Sequence, residues 1–262
     1  MLDHSTFPPS TRAVIAGYAA TPITDGESGG AVYRLEGDGL VSCHLKHGRH
    51  DVAEAISREA TRLDWLAGRI AVPRLVHFER SADAAWLVTT TLPGRSAYAL
   101  LEEHPGERLA IASAVATFLR ALHAIPLADC PFHAGEELRL SEARRRLDAG
   151  VVDASDFDEA RTGWSAMQVW ETMVALRPAQ ATRVVTHGDY SLDNVFLDAG
   201  RVTGCLDVER LGAGDPYQDV AICWRDLGAF GAEVQRAFLQ AYGISSPDPQ
   251  RLEFYLCLDE FF

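Results

Sequence analysis

The chain is nearly devoid of lysine. Lys46 is the sole lysine among 24 basic residues, and arginine fills every other cationic position. An ammonium is a compact point charge and a guanidinium a planar fork, so the one ammonium retained here is the first residue to explain. Basic charge is short overall: 24 Lys and Arg against 37 Asp and Glu give a formal net charge of −13. That balance argues against a nucleic-acid backbone as partner and favours cationic ligands, which a cleft of the opposite sign concentrates. Cysteine is sparse. Cys43, Cys130, Cys205, Cys223 and Cys257 are odd in number and widely scattered, which excludes a disulfide framework and a CxxC metal site. No run approaches the ~18 apolar residues of a membrane helix, and the start MLDHSTFPPS has neither a basic nor an apolar leader region. The expectation is a cytoplasmic protein with no membrane partner, its monomeric or dimeric state left open. Repeats and low-complexity segments are absent.

What is present is a chain of 262 residues, 47% hydrophobic, enough for one large domain or two lobes. Short apolar runs at Arg12 to Tyr18, Ala31 to Leu35, Gly39 to Leu45, Pro73 to Phe78 and Ala85 to Thr91, separated by Gly, Asp or Pro, predict strands. A helix over Asp51 to Leu66 interrupts them, with Val52, Ala55, Ile56, Leu63 and Leu66 at helical spacing. Pro93-Gly94 reads as a connector. Beyond it the pattern turns helical, first over Glu107 to Leu122 with the stripe Leu109, Ala112, Val115, Phe118, Leu119 and Leu122. Helices are predicted near Leu138 to Leu147, Trp164 to Leu176, Asp219 to Leu227, Ala232 to Tyr242 and Asp248 to Phe262. A short β region lies among them at Arg183 to Thr186, Val195 to Leu197 and Val202 to Leu206, with Asp198-Ala199-Gly200 as its hairpin turn. The expected organisation is α+β in two lobes: a small mixed β lobe over residues 1–92 and a larger, mainly helical lobe over 93–262, with a ligand cleft between them.

The strongest chemical signal is His187-Gly188-Asp189-Tyr190-Ser191-Leu192-Asp193-Asn194, which follows a predicted strand and precedes the hairpin that leads to Asp207. An Asp and an Asn five residues apart, with a further Asp beyond the hairpin, can bring one carboxylate to a hydroxyl and two oxygen ligands to a hard cation. Phosphoryl transfer requires that set, because Mg²⁺ takes oxygen ligands while the remaining carboxylate orients the attacking hydroxyl. The H-x-D-x4-N spacing matches the catalytic loop of protein kinases, with Gly188 in place of their usual Arg. Upstream, Asp25-Gly26-Glu27-Ser28-Gly29-Gly30 joins two predicted strands, and its glycines allow backbone N–H groups close to phosphates. Lys46 follows, with Glu59 thirteen residues later on the predicted helix as its partner.

Taken together, the Gly-rich loop, Lys46, Glu59, HGDxxxxN and Asp207 resemble the kinase-like antibiotic phosphotransferases. The ending Leu258-Asp259-Glu260-Phe261-Phe262 narrows the resemblance to the aminoglycoside 3′-phosphotransferases, whose chains finish in a short acidic-aromatic tail. Similar stretches are Arg58 through Leu66, Cys130-Pro131-Phe132, Asp207 through Gly212 and Tyr217-Gln218-Asp219. The resemblance implies a two-lobed protein-kinase-like fold, ATP and Mg²⁺ as cofactors, and an aminoglycoside as the small-molecule partner. It implies Asp189 as the hydroxyl-orienting carboxylate, Asn194 and Asp207 as Mg²⁺ ligands, and Lys46 as the phosphate contact held by Glu59. Ser28 and Gly29 would meet the phosphates. His44, Thr90 and Leu92 would meet the adenine, the last two through backbone groups. The acceptor would lie against Asp156, Asp158, Glu159, Arg210, Arg225, Asp226, Asp259, Glu260 and the carboxylate of Phe262, since clustered carboxylates pair with ammonium groups. Asp215 and Asp219 read as braces of the catalytic loop, and His187 as its support.

Two positions depart from the family pattern. Glu209 stands where kinases often have glycine, placing a carboxylate beside the expected metal. His44 stands where the resemblance implies a larger aromatic ring on adenine. Two other readings share this sequence: a kinase of a different small alcohol (choline, homoserine or a sugar), and a nucleotide-binding regulator without turnover. The acidic-aromatic tail speaks against the first, and intact Lys46, Asp189, Asn194 and Asp207 against the second.

Overall fold

A computed structural model describes residues 6–23, 29–179 and 182–262. Their backbone divides into two units: the residues up to Gly94 joined by Thr203–Glu209, and the remainder, Arg95–Val202 with Arg210–Phe262.

The first unit opens with helix α1 (Pro9–Val14), where a strand is predicted from Arg12 to Tyr18. The apolar run misleads because Pro9 occupies the first helical position, where its fixed φ favours a helix and its missing N–H costs nothing. Strands β1 (Ala19–Ile23), β2 (Ala31–Glu36), β3 (Cys43–Arg49), β4 (Leu75–Arg80) and β5 (Ala84–Thr90) form one antiparallel sheet in the order β1-β2-β3-β5-β4. Helix α2 (Asp51–Leu66) matches the predicted bounds.

Alternation along β3 decides what each face carries. Cys43 and Leu45 join Phe7, Ile15, Leu35, Trp86 and Val88 in a core on one side of the sheet. His44 and Lys46 consequently face the other side, where α2 packs. Helix α2 buries Ala53, Ile56, Ala60 and Leu63 at helical spacing, and Glu59, three residues beyond Ile56, shares that buried face. A carboxylate is thereby delivered opposite the ammonium. The helix lies close because Gly48 has no side chain; a Cβ there would stand 2.2 Å from Cγ1 of Val52.

In the second unit β6 (Arg95–Ser96) leads into α3 (Ala97–Glu103), capped by the Ser96 hydroxyl, which accepts from Ala99 N–H at 3.3 Å. This seven-residue helix is too short for its Ala97/Leu101 pair to register as periodicity. Helices α4 (Arg108–His123), α5 (Glu136–Asp148) and α6 (Ala166–Ala175) follow. On α4, Ile111, Ala112, Val115, Ala116, Leu119 and Leu122 are buried, whereas Leu109 of the predicted stripe is exposed. Strand β7 (Val184–Thr186) precedes the HGDxxxxN loop, and β8 (Val195–Asp198) and β9 (Arg201–Cys205) follow it as a hairpin. Ala199 and Gly200 both take positive φ, 46° and 75°, as a two-residue primed turn requires. Strand β10 (Gly212–Gly214) returns antiparallel to β7, and α7 (Tyr217–Gly228), α8 (Ala232–Tyr242) and α9 (Pro249–Asp259) complete the chain. Among the described residues no helix is long and apolar enough to cross a membrane.

Gly48→Ala is expected to push α2 off the sheet and to cost about 1–3 kcal/mol, as overpacking does. A lower urea midpoint at unchanged slope checks it.

Candidate functional site

Lys46 lies mid-strand on β3, which runs on to Arg49 where the predicted strand stops at Leu45. Its Nζ donates to Oε2 of Glu59 at 3.0 Å and to Oδ1 of Asp207 at 2.9 Å. Burial pulls the ammonium toward neutrality, but the two carboxylates outweigh it and hold its pKa above the usual lysine value. For Glu59 burial dominates: its carboxyl is pushed up to about 7 against the pull of Lys46. Asp207 takes a φ of 52°, a left-handed conformation uncommon for a non-glycine residue. Glu209 is neither free in solvent nor turned on Asp207. It accepts from Nη2 of Arg58 at 2.9 Å and from Nε at 3.3 Å, so the carboxylate that replaces glycine is answered by its own arginine.

The expected adenine contacts lie in the same unit. Thr90 N–H donates to the Arg74 carbonyl at 3.0 Å and Arg74 N–H to the Thr90 hydroxyl at 2.9 Å, whereas the Leu92 N–H has no partner among the described residues. His44 approaches the Thr91 hydroxyl at 3.3 Å through Nδ1, and burial, with Arg34 adding, keeps its imidazole below the usual histidine range. It presents a neutral ring. Gly29 precedes β2 with φ 62°, which suits glycine. Ser28, the other expected phosphate contact, lies outside the described residues.

The HGDxxxxN loop is braced almost entirely by α7. Fully buried Asp219 accepts from His187 N–H at 2.7 Å and Gly188 N–H at 2.8 Å, and its Oδ2 lies 2.9 Å from Nε2 of His123. Gln218 donates to the Gly188 carbonyl at 3.0 Å. Asp226, two turns beyond Asp219 and on the same helix face, accepts from Leu192 N–H at 3.0 Å. Gly188 has φ 90°, and a Cβ there would meet the Arg210 carbonyl oxygen at 2.6 Å, so glycine is required. That close passage explains the loss of the arginine usual at this point. Asp189 keeps a third of its side chain exposed, with Arg210 3.8 Å away. Asn194 donates from Nδ2 to the Asp189 carbonyl at 3.0 Å, so its amide oxygen is the atom left to act as an acceptor.

Of the expected acceptor residues, the structure brings two groups together. Arg225 lies 2.7 Å from Asp259, 3.0 Å from Asp226 and 3.6 Å from Asp158, and these carboxylates hold its pKa above the usual arginine value despite burial. Burial pushes the Asp226 carboxyl up to about 6 and that of Glu260 to about 7, with Arg225 and Arg161 respectively pulling them back. A second group surrounds the terminal ring: the guanidiniums of Arg139 and Arg210 lie 3.8 and 5.2 Å from the Phe262 centroid. The tail is docked, since Phe261 is buried edge-on against Trp170. Asp156 and Glu159 stay exposed, without a side-chain partner among the described residues. Glu260 differs from the other acids: only 6% of its side chain is exposed, and its carboxylate accepts from Arg161 and from Asp158 N–H.

Sequence reasoning missed Arg139, Arg161 and Arg58. All three lie among other charged residues, and arginine is so common here that none is conspicuous. The arginine next to Glu59 was the one available signal. Among the described residues no cluster of three His, Cys, Asp or Glu side chains could hold a metal.

The model of the phosphotransferase enzyme family matches residues 19–255. An aminoglycoside 3′-phosphotransferase of Escherichia coli is 46% identical over 95% of this chain and 93% of its own. One from Streptomyces fradiae is 40% identical over 92% of this chain and 94% of its own. The crystal structure of aminoglycoside-3′-phosphotransferase of type VIII matches with a TM-score of 0.87 at 38% identity, covering 97% of each chain. Aminoglycoside phosphotransferase APH(3″)-Id from Streptomyces rimosus, in complex with ADP and streptomycin, matches at 0.82 and 29% identity over 100% of this chain and 99% of its own.

Removing the hub of the loop tests how it is held. Asp219→Ala strands two buried N–H groups and His123 and is expected to cost about 3–5 kcal/mol, read as a lower denaturation midpoint. Tyr190→Phe, which loses the hydroxyl bond to the Val115 carbonyl, is expected to cost about 1 kcal/mol.

Proposed function

We infer the reaction from a plain premise: this chain belongs to the aminoglycoside 3′-phosphotransferases of the phosphotransferase enzyme family. The enzyme transfers the γ-phosphoryl group of ATP to the 3′-hydroxyl of an aminoglycoside, and so confers resistance. The observation that carries the residue-level reading is the sole lysine bonded to both Glu59 and Asp207. An ammonium held by two carboxylates is ready to meet nucleotide phosphates beside a metal ligand.

In this reading Asp189 accepts the hydrogen bond of the 3′-hydroxyl, aims its oxygen at the γ-phosphorus and takes its proton as the new P–O bond forms and the bond to the β-phosphate oxygen breaks. Asn194 and Asp207 would hold Mg²⁺. Their donors, an amide oxygen and a carboxylate, fit a hard cation, and two protein oxygens are what Mg²⁺ takes when phosphates and water complete its shell. When bound, Mg²⁺ neutralises charge on the β- and γ-phosphates. Thr90, Leu92 and His44 contact adenine, while Ser28 and Gly29 contact the phosphates. Asp156, Asp158, Glu159, Arg210, Arg225, Asp226, Asp259, Glu260 and the Phe262 carboxylate form the acceptor surface. Kanamycin is the proposed substrate and the cytoplasm the proposed compartment.

The first test is a coupled assay with ATP, Mg²⁺ and kanamycin beside its 3′-deoxy analogue. Turnover of kanamycin alone is the expected outcome, with Asp189→Asn lowering kcat by about 10²–10⁴-fold. No turnover of any aminoglycoside would shift the reading to another small alcohol. The pH dependence has a definite sign. Asp226 and Glu260 titrate above the ordinary carboxylate range, so below about pH 6 they are protonated and neutral. Raising the pH through 6 to 7 ionises them and adds negative charge around a cationic acceptor. The KM for kanamycin is therefore expected to fall over that interval in initial-rate measurements.

A further inference from the structure

Arg161 heads the fully buried side chains of the described residues, with 2% exposed. Its guanidinium gathers three carboxylates: Nη1 donates to Glu260 at 3.0 Å and reaches Asp158 at 3.5 Å, and Nη2 donates to Glu253 at 2.7 Å. Glu253 and Glu260 lie seven residues apart on α9 and its C-terminal cap, two turns along one face. Asp158 and Arg161 end the loop that carries the exposed acids Asp153 and Asp156. One buried cation therefore ties that loop to the last helix and the chain terminus. The same Asp158 oxygen lies 3.6 Å from Arg225. Arg225 in turn pairs with Asp259 and Asp226, and Asp226 accepts from Leu192 N–H in the loop that carries Asp189. A continuous line of ion pairs, ending in one backbone hydrogen bond, thus runs from Arg161 to the proposed catalytic loop.

A buried ion pair is a poor means of gaining stability, because desolvation offsets most of the Coulombic attraction and an apolar replacement often does as well. What it supplies is fixed geometry. With all groups ionised, Asp158, Asp226, Glu253, Asp259 and Glu260 outnumber Arg161 and Arg225, so the network keeps an anionic excess for a cationic ligand while its members are held in place.

We propose that Arg161 is a positioning residue for the acceptor: it pins the loop of residues 153–161 to the C-terminal helix and so sets the spacing of Asp158 and Asp259 against the acceptor's ammonium groups. This deepens the aminoglycoside reading and rests on it. Glu260 becomes the inner anchor of the pin, and the solvent-facing acids do the recognising.

The test uses the full chain with Arg161→Gln and Arg161→Lys, kanamycin and ATP as substrates, and hydrogen exchange over residues 153–161 and 253–262. Arg161→Gln is expected to raise the KM for kanamycin about tenfold or more, as the loss of one charge-assisted hydrogen bond implies. The KM for ATP stays within about twofold, and exchange over 153–161 quickens. Arg161→Lys recovers part of the acceptor KM, because it restores the charge but not the fork. Glu253→Gln removes the most exposed partner and supplies the same split if Arg161→Gln fails to fold, with a smaller rise in acceptor KM expected. An unchanged acceptor KM in the folded variants, or an equal rise in both KM values, overturns the assignment. Unchanged exchange over 153–161 in Arg161→Gln overturns the pin on its own. Wild-type protein that phosphorylates no aminoglycoside overturns the acceptor reading instead, which the exchange arm keeps distinct from the pin.

Discussion

The carboxylate of Asp219, sealed from water on α7, is the group on which the order of the HGDxxxxN loop depends. An anion so placed must be answered by donors, and the loop supplies them from the backbone of His187 and Gly188. The cost of burying Asp219 and the cost of ordering the loop are met by the same bonds. Asp226, on the same helix face, repeats the arrangement at Leu192, and Gln218 closes it from the carbonyl side. What the loop presents is chemical: the Asp189 carboxylate, a third exposed with Arg210 3.8 Å away, and the amide oxygen of Asn194. A loop whose backbone is engaged by a buried helix can present two polar atoms without the reorganisation that would otherwise accompany each reaction.

Much of this was legible in the sequence because it is local. The α2 bounds, the hairpin at Ala199-Gly200, the bracing role of Asp219 and the α+β kinase-like fold follow from spacing, turn chemistry and the resemblance. Asp215, expected as a second brace, instead accepts from Tyr217 N–H and pairs with Arg251. What escaped is non-local. Arg58 bonds Glu209, 151 positions away, and Arg161 bonds Glu260, 99 away; no window of sequence contains both partners. The strand expected from Arg12 to Tyr18 failed for a different reason, since a short apolar run has no period of its own and Pro9 sets the helix. Burial also sorted acids that composition treats alike. Asp156 and Glu159 face solvent, Asp158 and Asp259 share Arg225, and Glu260 is enclosed.

Glu209 shows how a departure from pattern is absorbed. A carboxylate in place of glycine next to Asp207 would crowd negative charge around Lys46 and Glu59, and the rise in the Glu59 pKa includes a contribution from it. Arg58, one position before Glu59 on α2, answers it with two hydrogen bonds. The substitution therefore adds a tie between α2 and the segment that carries Asp207, near the residues whose relative placement the ammonium depends on.

The scarcity of lysine now has a physical reading. The arginines hold fixed geometry: Arg251 grips Asp215 at 2.5 and 2.6 Å, Arg161 spans three carboxylates, Arg225 spans Asp226, Asp259 and the shared Asp158, and Arg139 stacks on Phe262. A planar fork suits such permanent bracing, since its donors diverge at set angles and little freedom is lost in fixing them. Lys46 has a different task in the proposed reaction. Its ammonium is bonded to Glu59 and Asp207 and, with three donors, would still have one to offer phosphate oxygens when a nucleotide binds. A tetrahedral head points its donors in three directions and so can serve two carboxylates and a phosphate at once, whereas the donors of a guanidinium lie in one plane. In the proposed reaction, the one position that carries lysine is the one where the cation meets the nucleotide phosphates.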